Sequence, residues 1–300
     1  MRNKFSEAVY ENIKKNKNIY VVAADISPSG AMAKFQSTEK NFINVGVAEQ
    51  NMIGVCAGLA MSGMKVFAYT IAPFSIYRPF EMVRDDICYQ NLPVTIVGMG
   101  SGTIYANLGG THTAIEDISI ARSIPNMTVI SPSDPLELVS AVNYCCRKSS
   151  SPTYLRIGKT GEKNITKNAK QKWKFGKIRE ILKGKNTCIL THGTISSIAY
   201  DAIKKKDKNI GLYSCSTLKP FDENGIKKIF KKYKKIITLE DHSIIGGLSD
   251  IVTNLAFRNK YSGKIITNSL KDKFIHVFSS QKDLLEAHGI SVKKIYNQLQ

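Results

Sequence analysis

No stretch of this sequence stays apolar for the roughly 18 residues that a membrane-spanning helix needs. The first residues, Met1 to Ser6, are polar and run into a helical pattern without the apolar core of a secretory signal, so a cytoplasmic protein is expected. The six cysteines lack the close spacing of a metal site. Cys145 and Cys146 fall in a helical pattern and read as core packing, in keeping with a reducing compartment. Internal repeats and low-complexity tracts are absent too, which leaves an ordinary globular chain of 300 residues, enough for one large or two ordinary domains.

Acidic charge is scarce in only one half. The net charge is +19, but residues 1–150 hold 13 Lys+Arg against 12 Asp+Glu, and residues 151–300 hold 30 against 12. The excess is nearly all lysine, in runs such as Lys204, Lys205, Lys206 and Lys231, Lys232, Lys234, Lys235. These runs lack the interleaved aromatics and arginines that nucleic-acid surfaces favour. They read as a solvated face, with an acidic partner or anionic substrate left open. Neither nucleic acid nor a membrane is expected as a partner.

Short apolar segments alternate with helical patterns. In the first half they are Ile19–Ala24, Phe42–Val45, Lys65–Tyr69, Val94–Val97 and Thr128–Ser131; in the second, Thr187–Leu190, Ile210–Ser214 and Lys235–Leu239. That alternation implies parallel sheets covered on both faces. The expected fold is α/β, with two doubly wound α/β domains, each around a mostly parallel sheet. Residues 1–160 form one domain, 161–182 a polar, basic linker, and 183–300 the other. A helix from Ala48 to about Ser62 is apolar nearly all round and is expected to be buried in a larger assembly.

One carboxylate stands out. Glu49 is the only acidic residue between Asn41 and Phe80, where a strand ends, Gly46 turns the chain and a helix begins. It could cap that helix, pair with a cation, or be kept partly protonated by desolvation for proton transfer. Further along, Phe74, Tyr77 and Phe80 are spaced by three around the Pro73–Pro79 turn, as in a core aromatic cluster.

The run Asn44–Met52, with Gly54, Ala57-Gly58 and Gly63, resembles the pyrimidine-binding domain of the transketolase family. So do Gln90-Asn91-Leu92-Pro93, Gly109-Gly110-Thr111-His112, Ile124-Pro125-Asn126 and Ser131-Pro132-Ser133-Asp134. Thr217-Leu218-Lys219-Pro220 and Glu240–Gly247 are similar to that family's C-terminal domain. The resemblance implies a thiamine-diphosphate-dependent transferase that moves a two-carbon ketol unit between sugars or sugar phosphates. It implies that Glu49 activates the cofactor's aminopyrimidine, and that water must be kept from the resulting proton shuttle. Phe74, Tyr77 and Phe80 are then the platform for the pyrimidine, with Phe74 and Tyr77 preferred for stacking. Asp25 and Ile26 lie beside the thiazolium, although Ala24–Ser29 also reads as a simple turn. His112 works near the substrate carbonyl by proton transfer or oxyanion stabilisation, a lone histidine otherwise being structural. Ser29, Arg78 and Arg156 complete the substrate site, each arginine as a phosphate ligand or simply half of an ion pair. His192 and His242 read as structural.

Two departures from the family's pattern matter. Gly-Asp-Gly, which holds the cofactor diphosphate and its metal, is missing. The resemblance therefore implies that Mg2+ or Ca2+ is bound mainly by an N-terminal transketolase subunit, in an α2β2 heterotetramer, and that this chain supplies no metal ligand. Gly100-Ser101 replaces a His-Asp pair, and Leu108 stands where an acidic residue is expected. Both changes remove groups that recognise sugar hydroxyls. A deoxyxylulose-phosphate-synthase-like enzyme and the β chain of a 2-oxo acid dehydrogenase are the alternatives on the same architecture.

Overall fold

A computed structural model of the chain describes residues 1–26, 33, 40–206 and 209–299. The first half folds as α1 (Arg2–Lys15), β1 (Ile19–Ala23), β2 (Phe42–Asn44), α2 (Glu49–Met61), β3 (Lys65–Ile71), α3 (Ala72–Ile76), α4 (Phe80–Met82), β4 (Val94–Met99), α5 (Asp117–Ser123), β5 (Thr128–Ile130), α6 (Pro135–Arg147) and β6 (Thr153–Ile157). The second half adds β7 (Arg179–Leu182), β8 (Thr187–Thr191), α7 (Ser196–Lys206), β9 (Ile210–Ser214), β10 (Thr217–Lys219), α8 (Glu223–Lys232), β11 (Lys235–Ser243), α9 (Leu248–Arg258), β12 (Lys264–Leu270), α10 (Gln281–Ala287) and α11 (Val292–Gln298). Among the described residues no helix is long and apolar enough to cross a membrane.

Two sheets form, ordered β10-β5-β6-β4-β3-β1-β2 and β12-β11-β8-β9-β7. All pairings are parallel except β10 on β5 and β7 on β9. Helices cover both faces of the first sheet, and β4 is accordingly buried along its whole length. On one face, Phe5, Val9 and Ile13 of α1 pack with Leu138 and Val142 of α6, and the Phe5 ring stacks on Tyr69 at 5.3 Å. On the other, Met52, Ile53 and Cys56 of α2 enter an apolar cluster that continues through Ile118 to Leu190, Ile236 and Leu248 of the second domain. One core thus spans both domains.

Several expectations change. The segment expected to be a linker ends in β7, an edge strand of the second sheet, whose Arg179 is buried and paired with Glu137 (3.1 Å). β10 leaves its own domain to extend the first sheet. After β12 come α10 and α11, separated at Gly289, where φ is +85°. Helix α2, expected to be buried in a larger assembly, buries Met52, Ile53, Cys56, Ala57 and Ala60 within this chain and leaves its other face open. Gln50, Asn51, Gly54, Gly58 and Met61 face outward, because no other element among the described residues covers that side. The short α4 runs on into a π-helical stretch, Val83–Tyr89.

Candidate active site

The parallel strands β4, β3, β1 and β2 are neighbours and end at one edge of the first sheet. Four candidate segments leave that edge. Asp25 and Ile26 follow β1, Gly46–Glu49 follow β2, Ala72–Phe80 follow β3, and Gly100–His112 follow β4. A doubly wound sheet gathers loops at the carboxyl ends of its strands, which is where such folds bind ligands. The first turn is tight. Asp25 adopts φ 45°, in the left-handed region, while Thr70 Oγ1 donates to Ala24 O (3.1 Å) and ties the end of β1 to β3. Ser29 lies outside the described residues.

Glu49 is the first residue of α2 and only 3% exposed. Of the three explanations open to it, the structure gives the ion pair: Arg78 Nη1 donates to Glu49 Oε1 (2.9 Å) and Oε2 (2.8 Å). The positive end of the helix dipole also favours the carboxylate. The same guanidinium lies over the Phe74 ring, 4.5 Å from its centroid, and the His112 ring meets Phe74 edge-on at 5.2 Å. Glu49, Arg78, Phe74 and His112 are therefore brought together, although they come from three different strand ends. Thr111 Oγ1 lies 2.9 Å from His112 Nδ1.

Tyr77 is engaged elsewhere. Its hydroxyl donates to Glu116 Oε2 (2.8 Å) and accepts from Glu116 N (3.1 Å). Burial, with Asp117 and Glu116 adding to it, pushes its phenol well above the usual range. Phe80 is partly exposed on the short α4. A recess of about 320 Å³ beside Tyr77 is lined by Gly110, Thr113, Glu116 and Phe274, so the second domain reaches this edge as well. A cavity of about 790 Å³ lies elsewhere, between α7, α10 and α11, lined by Lys205, Lys282, Lys293 and Lys294.

Arg156 is a correction. It is 3% exposed on β6, and its fork is turned inward: Nε donates to Asp117 Oδ2 (2.9 Å) and Nη2 to the backbone O of Asp241 (2.6 Å). Burial works against its charge, but Asp117 and Asp241 outweigh it and raise its pKa. The residue pins the two domains together rather than offering a phosphate a seat. Asp241 in turn accepts from Thr103 Oγ1 (2.9 Å). Its carboxylate sits where a Cβ on Gly102 would be, 2.2 Å away, so Gly102 (φ +68°) is required there.

His192 and His242 are both fully buried at this seam. His242 Nε2 accepts from Ser119 N (3.2 Å), and its Nδ1 lies 2.8 Å from Ser243 O. His192 Nδ1 contacts Ser131 Oγ (3.0 Å), while Nε2 is 3.6 Å from Glu240 Oε2, too far for a hydrogen bond.

Sequence reasoning missed Tyr105. Its ring fills the space above Gly100, where a Cβ would lie 2.0 Å from Cε2, and it approaches His112 at 6.4 Å. The only signal was the glycine itself, at φ +69°. Leu108 is 45% exposed and open to solvent.

The comparisons agree with this architecture. Residues 1–161 match the transketolase pyrimidine-binding domain model and residues 176–295 the transketolase C-terminal domain model. A putative transketolase C-terminal section from Methanocaldococcus jannaschii is 33% identical, over 100% of this chain and 95% of its own length. One of the subunits of an apulose-4-phosphate transketolase from Phocaeicola vulgatus is 31% identical, over 88% and 86%. A 1-deoxy-D-xylulose-5-phosphate synthase from Clostridium tetani is 30% identical over 98% of this chain, but over 48% of its own length. A solved structure described as a split-gene transketolase, in an inactive β4 tetramer, superposes with a TM-score of 0.85 at 28% identity, covering 100% of this chain and 96% of that one. With both domains in this order along its length, the chain belongs to the transketolase family.

Proposed function

We propose that this chain is the pyrimidine-activating subunit of a split transketolase, which transfers a two-carbon ketol unit between sugars or sugar phosphates. The observation that carries the reading is Glu49, a buried carboxylate at a helix start, beside the Phe74 ring at the carboxyl edge of a parallel sheet. These residues fit the pyrimidine end of thiamine diphosphate, which needs one hydrogen-bond acceptor for its ring nitrogen and a flat apolar face. When bound, that cofactor supplies a carbanion equivalent for breaking and making a bond next to a carbonyl. Glu49 would accept and return a proton at its carboxylate, in a site dry enough to keep the transfer from leaking. Phe74, with Tyr77 and Phe80 at its flank, would orient the ring, and Asp25, Ile26 and Ser29 would border the reacting end. His112 would hold or move a proton at the substrate oxygen.

The diphosphate and its Mg2+ or Ca2+ would be held mainly by a partner chain, because the Gly-Asp-Gly segment is missing here. The assembly proposed is α2β2, in the cytoplasm. Two comparisons support a separate partner: relatives along nearly their whole length are named as a section or a subunit, and the β4 tetramer of the solved relative is described as inactive. Gly100 and Leu108 offer no side-chain hydrogen bond to a sugar, so a modified sugar or sugar phosphate suits this site better than the ordinary pentose phosphates. The likeness to 1-deoxy-D-xylulose-5-phosphate synthase favours a second reading, a condensation with pyruvate as donor. Comparing pyruvate with a ketose as donor in the two-chain complex separates the two.

The test of Glu49 is deuterium exchange at C2 of the cofactor bound to the two-chain complex. Glu49→Gln is expected to slow exchange by about 10²-fold or more while the fold is retained. Exchange at the wild-type rate removes Glu49 from the role.

A further inference from the structure

Resting on that reading, we infer that Arg78 is a built-in placeholder for the cofactor's aminopyrimidine, occupying its seat until the cofactor displaces it. One side chain covers both groups that the pyrimidine requires. Arg78 Nη1 holds both oxygens of Glu49, at 2.9 and 2.8 Å, and Cζ sits 4.5 Å from the centroid of Phe74. A guanidinium is flat, delocalised and cationic, with N–H donors in its plane. A protonated aminopyrimidine shares each of these properties, so the same acceptor and the same ring face serve both.

The arrangement also answers a physical need of the cofactor-free chain. The Glu49 side chain is 4% exposed, and a buried carboxylate without a partner is costly. Arg78 supplies the counter-ion from the outside: its own side chain is 44% exposed, so it can rotate into solvent. The neighbouring Tyr77 side chain is tied to Glu116 and Pro79 follows at the start of α4, so release calls for a side-chain movement of Arg78 alone. Cofactor binding then exchanges one flat cation for another on Glu49. It does not have to bury a new ion pair.

Two measurements test this. In the chain alone, a double-mutant cycle with Arg78→Ala and Glu49→Gln is read by denaturant unfolding. Arg78→Ala is expected to destabilise the wild-type chain more than it destabilises the Glu49→Gln variant; strict additivity overturns the proposal, because the contact then does not exist in solution. In the chain combined with its diphosphate-binding partner, calorimetry with thiamine diphosphate and Mg2+ is expected to show about fivefold tighter binding for Arg78→Ala, the factor that corresponds to about 1 kcal/mol for a half-exposed ion pair. Arg78→Lys, which keeps the charge but loses the flat fork, is expected to fall between the two. Equal or weaker cofactor binding by Arg78→Ala overturns the placeholder, as does a raised KM for a phosphorylated donor with unchanged cofactor affinity, which makes Arg78 a substrate ligand. If the wild-type complex binds no cofactor, the functional reading falls and the placeholder with it. If wild type binds and Arg78→Ala binds no tighter, the placeholder alone falls.

Discussion

Replacing Arg156 by Met separates a structural pin from a phosphate ligand. The substitution keeps most of the apolar stem and removes three contacts: to Asp117 Oδ2 (2.9 Å), to Asp241 O (2.6 Å) and, weakly, to Ala114 O (3.4 Å). Asp117 is 0% exposed, and its Oδ1 already has no hydrogen-bond partner among the described residues. Without the guanidinium it would be a buried carboxylate held by a single neutral donor, Tyr154 Oη (2.8 Å). Removing one member of a buried ion pair costs about 3–5 kcal/mol. That is a large share of the roughly 5–15 kcal/mol that stabilises a folded domain. With a slope of about 3 kcal/mol/M in urea, the unfolding midpoint should drop by about 1 M or more. The single tryptophan is well placed to report it: Trp173 Nε1 donates to Ser216 Oγ (2.8 Å), between β9 and β10, where the second domain hands a strand to the first sheet. Adding Asp117→Asn removes the orphaned charge and should recover part of the loss. A cost of less than about 1 kcal/mol for Arg156→Met refutes the pin. If that small cost came with a raised KM for a phosphorylated donor, Arg156 would return to the substrate site.

Gly100→Ala should lower stability by roughly 2–4 kcal/mol, since the residue adopts φ +69° and its Cβ would meet the Tyr105 ring at 2.0 Å; thermal unfolding of the chain checks it, and a loss within about 0.5 kcal/mol would mean that Tyr105 does not occupy that space. The seam should also make stability pH-dependent through His192. Burial, with Arg156 and His242 adding to it and Glu240 opposing, lowers its pKa from the ordinary 6.5. The folded state therefore favours the neutral ring, and this contribution is complete above about pH 6.5 and lost as pH falls below it, by at most about 1.4 kcal/mol per pH unit. His192→Gln should flatten the slope of stability against pH between about 6.5 and 5, and an unchanged slope would show that the ring titrates normally.

The alternation of apolar segments and helices made the fold class legible, and strands β1, β3, β4, β8, β9 and β11 fall where the apolar runs are. Two of the strands that escaped, β7 and β10, have sequences that are not apolar runs. Arg179–Leu182 reads as part of a basic linker because only alternate residues are buried, on a sheet edge. Thr217–Lys219 is three residues long and pairs with Ile130 and Val129, far away in the chain. Nothing local marks a strand that will cross to another domain, because pairing across domains is decided by tertiary packing.

The candidate site divides in the same way. Glu49 could be singled out because an isolated carboxylate in an apolar stretch is itself an anomaly. Its partner could not, since Arg78 lies 29 residues away and nothing in the intervening sequence fixes how α3 and α4 turn beyond β3. Arg156 illustrates the converse. In sequence it closes an apolar strand and looks available, yet β6 is buried at every position and the second domain packs against Arg156 through Asp241, so its side chain has no solvent to reach and must find a carboxylate inside. An arginine in the middle of a parallel sheet is thus better evidence for a buried acid elsewhere in the chain than for a bound anion. Asp117, at the start of α5 next to the Gly109–His112 turn, is that acid. The pin that joins the domains is therefore anchored a few residues from the histidine proposed to face the substrate, and loosening it should disturb the position of His112 before it disturbs that of Glu49, which hangs from the far strand β2.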